Sequence, residues 1–204
     1  MIDDLIMILD VGADLGLIAY DETVVRAPHR DAEAFDVDAL AADAARLRAT
    51  ARLLDDATVS TDVSFGDLWS GSGGGAAGIA LASATTNVDA VVAEIAETAA
   101  TLDAATSTVT EVMGRYRHAM ATVCEPTICG IDIGALRISV AAGSVARDDV
   151  RGELIARIEY ADTVGRTVTE ALADTVRAVS ADMGAADDGP GHPSAGELVL
   201  AGRR

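Results

Sequence analysis

The chain has 204 residues, room for one ordinary core or a small domain with a long appendage. Half of it is apolar, but 41 residues are alanine and only Phe35, Phe65, Trp69, Tyr20, Tyr116 and Tyr160 are aromatic, which suits close helix packing and not a thick β-sandwich. A formal charge of −18, with every one of the 15 basic residues an arginine, disfavours nucleic acid and anionic lipid as partners and removes lysine-dependent phosphate loops and Schiff-base chemistry.

At the amino end, Ile2, Leu5, Ile6, Leu9 and Ala13 recur at helical spacing, which predicts a short helix within residues 1–20. Asp3, Asp4, Asp10 and Asp14, with no positive n-region, argue against a Sec signal peptide there. Residues 21–36, with Pro28, read as a connecting loop. From Val37 a seam steps by three and four through Leu40, Ala44, Leu47, Ala51, Leu54, Thr58, Thr61, Phe65 and Leu68, with Asp36 or Asp38 placed to cap it. A second seam runs through Ala77, Leu81, Ala84, Val88, Val91, Ile95, Thr98, Leu102, Ala105, Val109, Val112, Tyr116, Ala119 and Val123. The glycine-rich run over 67–75 between them has the chemistry of a turn, so residues 35–123 are expected to form a long antiparallel hairpin. Its second helix is the longer, and the amino-terminal helix has the right length to cover the overhang around Val109, Val112, Met113, Tyr116 and Met120.

Residues 124–146 read as a loop, in which the alternation of Leu136, Ile138 and Val140 suggests a short strand. A third long helix is expected over 147–183, through Leu154, Ile158, Ala161, Gly165, Val168, Leu172, Thr175 and Val179. Residues 184–204 have the composition of a disordered tail. The fold class is therefore all-α. No uncharged apolar run reaches about 18 residues, so no membrane span is expected.

Few residues invite chemistry. Cys124 and Cys129 could close a small disulfide, remain free thiols, or join His118 in a metal site. Gly73, Gly75 and Gly78 spell a dinucleotide-type G-x-G-x-x-G, but no strand precedes them and a turn explains them as well. His29, His118 and His192 are scattered, with no nucleophile or carboxylate spaced as a relay, so neither catalysis nor a cofactor nor a bound metal is expected.

The single tryptophan sits in Trp69-Ser70-Gly71, between the two seams. Here the chain resembles the WXG100 or ESAT-6-like helical hairpins of type VII (ESX-like) secretion and related actinobacterial secretion-associated proteins, in the Trp-x-Gly turn and in the opening helix from Phe35 to Leu47. The resemblance covers residues 35–123. It implies a non-catalytic helical protein, a secreted substrate or binding component, exported without a Sec signal. Its interaction face would be Leu40, Leu47, Leu54, Leu81, Val88, Ile95 and Leu102, and its partner a second WXG-like helical protein or another copy of itself. Tyr20, Tyr116 and Tyr160 are not followed four residues on by Asp or Glu, so the resemblance assigns the export signal to a partner. The rival reading is a cytosolic structural or chaperone-like coiled-coil bundle.

Overall fold

A computed structural model describes residues 1–65 and 72–187. It is mostly helical: α1 (Ile2–Asp14), α2 (Glu22–Arg26), a 3-10 turn (Ala27–His29), α3 (Arg30–Ala34), α4 (Val37–Phe65), α5 (Ser72–Val123), β1 (Thr127–Ile128), β2 (Ile131–Asp132), α6 (Ile133–Ala141) and α7 (Arg147–Asp187). The all-α class stands. The turn motif Trp69, Ser70 and Gly71, and the tail beyond residue 187, lie outside the described residues.

The chain divides into two compact units, one of residues 1–35 and 108–175, the other of residues 36–107 and 176 onward. The first carries nearly all of the large buried side chains. Ile2, Leu5, Ile8 and Leu9 of α1 are sealed in it, together with Val109, Met113, Tyr116, Met120 and Val123 of α5 and Val150, Leu154, Ala161, Val168 and Leu172 of α7. Of the overhang residues named from the sequence, Val109, Met113, Tyr116 and Met120 are buried in the unit that contains α1, and Val112 is half-buried. The seam on α5 shifts by one position here: Met113 and Met120 are buried, whereas Val112 and Ala119 are only half-buried.

Two glycines that look like helix breakers serve α1. A Cβ on Gly12 would stand 2.5 Å from Leu154 Cδ1, so its absence lets α7 approach closely. Gly16 takes a left-handed φ of 64° just past the helix, which lets its N–H and that of Leu17 satisfy the last carbonyls.

The structure corrects the expected loop over 21–36. Asp21 accepts from the Thr23 N–H at 2.8 Å and starts α2, and residues 22–34 run as short helical turns with Val25, His29 and Ala32 buried. Asp36 does cap α4, accepting from Ala39 N–H at 2.9 Å. The strand suggested by Leu136, Ile138 and Val140 is also corrected. Asp132 accepts from Gly134 N–H at 2.8 Å and nucleates α6, which buries Leu136 and leaves Ile138 exposed. Three alternating apolar residues fit either period, and the cap decides.

The described strands pair Thr127 with Asp132 and Ile128 with Ile131, joined by Cys129 and Gly130 at φ 50° and 75°. Two consecutive left-handed residues make the turn that matches strand twist, but cysteine carries a Cβ penalty there of about 1 kcal/mol. Cys129→Gly should therefore raise stability by about 0.5 kcal/mol or more in urea unfolding; a loss of stability would mean that the side chain contributes more than its backbone costs.

In the second unit only Ala44, Ala51, Ala99 and Ala105 are buried among the described side chains. Arg48 of α4 pairs with Asp103 of α5, and Thr101 of α5 donates to Asp182 of α7 at 2.9 Å.

Candidate functional site

The seven residues expected to form an interaction face fall on α4 (Leu40, Leu47, Leu54) and α5 (Leu81, Val88, Ile95, Leu102), all within the second unit. Every one of them is half-buried. On α5 the half-buried positions recur as residues 74, 77, 81, 85, 88, 92, 95 and 98, the heptad spacing of a helix covered along one seam. Ala84 and Val91, expected on the seam, are exposed, and Thr85 and Val92 take their places one position on; Ile79, away from the seam, is 75% exposed. Leu53 on α4 is exposed as well.

The charge on α5 is one-sided. From residue 72 to 107 its only ionisable residues are Asp89, Glu94, Glu97 and Asp103, and residues 72–88 have none. By length and composition α5 is the one helix among the described residues that could cross a membrane, with mean hydropathy 1.3 over its most apolar stretch, none of it buried. The expectation of no span rested on uninterrupted apolar runs, whereas an average tolerates Asp89. Gly73, Gly75 and Gly78 lie within the first turns of α5, so they form no phosphate-cradling loop after a strand.

The two cysteines do not make the expected disulfide; both are free. The two cysteines meet different partners. Cys124 Sγ donates to the Met1 carbonyl at 3.1 Å, and the Glu153 carboxylate accepts the Cys129 N–H at 2.6 Å. Burial pushes the Cys124 thiol above its ordinary range, with Asp4 adding to it. Burial and then Glu153 do the same for Cys129. Both thiols are thereby kept protonated and poorly nucleophilic at neutral pH. His118 is exposed on α5, and no group of three His, Cys, Asp or Glu residues is placed to hold a metal among the described residues.

Three features were not visible from the sequence. The first is Arg157 of α7, 12% exposed, which donates to the carbonyls of Val123 (3.0 Å), Glu125 (2.7 Å) and Thr127 and to Glu153 Oε1 (2.7 Å). It fixes the chain where α5 ends and the hairpin begins. Burial alone would raise the Glu153 pKa, but the Cys129 N–H and the Arg157 guanidinium outweigh it and hold the carboxylate below its ordinary range.

The second is a half-open cleft of about 240 Å³ in the first unit, between α5 and α7. Val112, Tyr116 and Ala119 line one wall, Val164, Val168 and Ala171 the other, and Arg115 and two threonines its rim. Thr163 and Thr167 donate back to the Glu159 and Thr163 carbonyls, and Arg115 is paired with Glu111. The lining therefore offers methyl groups and one aromatic ring. The third is His29, fully buried, with Nδ1 3.1 Å from the Tyr116 hydroxyl. Burial raises the Tyr116 phenol to about 12, with Glu33 and Cys124 adding to it. A pairing 87 residues apart leaves no signal in local spacing.

No family model, no curated protein and no solved structure matches the chain.

Proposed function

We propose that this chain is a non-catalytic helical protein of WXG100 type, a substrate or binding component of a type VII secretion system, which works by burying an apolar helix face against a second helical protein or a second copy of itself. The observation that carries this reading is the half-burial of Leu40, Leu47, Leu54, Leu81, Val88, Ile95 and Leu102, in a unit whose fully buried side chains, among the described residues, are alanines. Side chains of that size left half in water gain by being covered, at about 25 cal/mol per Å² of apolar area removed from solvent. The Trp69-Ser70-Gly71 motif falls between the end of α4 and the start of α5, which agrees with the resemblance that suggests secretion. The well-filled core of the first unit favours the second reading, a cytosolic coiled-coil bundle that needs no partner.

A photo-crosslinking amino acid at Leu81 or Ile95, in cells that make the protein, separates the two. On the proposed reading both positions crosslink to a helical protein or to another copy, and the protein reaches the culture medium only when the system's membrane ATPase is intact. Protein that stays in the cytosol whether or not the ATPase is present, with no crosslink from either position, would leave the structural bundle as the better reading.

A further inference from the structure

We propose that His29 is an acid-sensitive latch, which holds the Glu22–Ala34 segment on the first unit while its ring is neutral and releases it when the ring takes a second proton.

The segment is fastened at few points, and His29 is central among them. On one side Pro28 and His29 rest directly on the α7 backbone. A Cβ on Gly165 would stand 2.6 Å from Pro28 Cβ and 3.0 Å from His29 Cε1. Thr169 Oγ1 donates to the Pro28 carbonyl at 3.1 Å. On the other side His29 Nδ1 bonds the Tyr116 hydroxyl of α5. Arg26 ties the start of the segment to Asp3 at 2.7 Å, and Val25 and Ala32 are its buried apolar anchors.

His29 Nε2 is buried and has no hydrogen-bond partner among the described residues. In the neutral ring that atom is either a bare acceptor or one unpaired N–H, whichever way the proton shared with Tyr116 points. In the imidazolium both nitrogens are donors, and the unpaired one carries charge into a site without an acceptor, which is the less favourable state to bury. The ionisable groups that face it are Tyr116 from α5 and Asp162 from α7, with Glu33 of α3 acting on Tyr116. Asp162 favours the charged ring, but it is paired with Arg166 at 2.9 Å, and burial prevails, so His29 titrates below its ordinary value in the closed state. The sign follows. Closure is fully favoured above about 6.5, the value of a free histidine, and is lost progressively as pH falls from there through the lower pKa of the closed state. Tyr116 also lines the α5–α7 cleft, so release changes one wall of that cleft.

Hydrogen exchange of the full chain between pH 7.5 and 5.0, corrected for intrinsic rates, tests this. The opening constant of amides in residues 22–34 should rise below 6.5, by at most about tenfold per pH unit and only until the closed-state pKa is passed, the course for uptake of one proton, while amides at residues 109–123 and 150–172 keep their protection. His29→Gln keeps a donor for Tyr116 and cannot titrate, so its exchange in 22–34 should be flat with pH. A flat response in the natural sequence, an equally steep one in the Gln variant, or equal loss over α1, α5 and α7 would overturn the latch. Should the variant fail to fold, NMR titration of the unsubstituted protein decides. The latch requires the His29 ring and the 22–34 amides to share one midpoint below 6.5, and separate midpoints or an ordinary His29 titration refute it.

Discussion

Arg157→Met should lower the unfolding free energy by about 3–4 kcal/mol in urea titration, one of the largest effects of any single substitution in the chain. Methionine keeps most of the aliphatic stem, so the loss is electrostatic. The substitution strands the carbonyls of Val123, Glu125 and Thr127, which share one guanidinium, and leaves Glu153 with only the Cys129 N–H. Hydrogen bonds to a charged donor are worth about 1.5–3 kcal/mol each when buried, but Glu153 is a third exposed and water will replace part of what it loses. A loss below about 1 kcal/mol would show that the carbonyls find water as readily as they found the arginine.

The second large effect contrasts the two units. Leu154→Ala removes a fully buried side chain of α7 that packs where Gly12 of α1 leaves room, and should cost about 3 kcal/mol or more. Leu102→Ala removes the same atoms from a half-buried position and should cost about 1–1.5 kcal/mol, because half of that surface was never taken out of water. Thermal unfolding of the two variants side by side checks this. Equal costs would mean that Leu102 is covered in solution by something beyond its own chain, as a pre-existing association through α4 and α5 would do.

Long periodic segments were legible. The seams of α4 and α7 were readable because each repeats its apolar spacing over many turns, that of α5 was read one position short at residues 84, 91, 112 and 119, and Asp36 was recognisable as a cap because a short carboxylate before such a run has one evident use. Short elements were not. Residues 21–36 hold too few apolar positions to show a period, and their turns are set by Asp21 and by packing on Gly165, neither of which stands out locally. Leu136, Ile138 and Val140 satisfied a strand period by coincidence. Cys124 and Cys129 are close in sequence, but what each meets comes from elsewhere: the Met1 carbonyl takes the Cys124 thiol, and Glu153 of α7 takes the Cys129 N–H. Arg157 and His29 were missed for the same reason, since a residue's long-range partners leave no mark on its neighbours in sequence.

Alanine is the size of side chain that a short interhelical distance requires, and the buried side chains described in the second unit are all alanines. Ala44 and Ala51 flank Arg48 on α4, while Ala99 and Ala105 flank its ion-pair partner Asp103 on α5. Contact through a methyl group lets helix axes lie near the short end of the ordinary range, about 8 Å apart. At that separation larger side chains cannot fit between the backbones and must splay to either side. The leucines of α4 and α5 would then straddle the line of contact, with one flank against the neighbouring helix and the other turned outward. On this geometry the open apolar flank would follow from helices packed through alanine, and bulkier residues at the alanine positions would push the axes apart and draw the leucines inward, closing the surface that a partner would use.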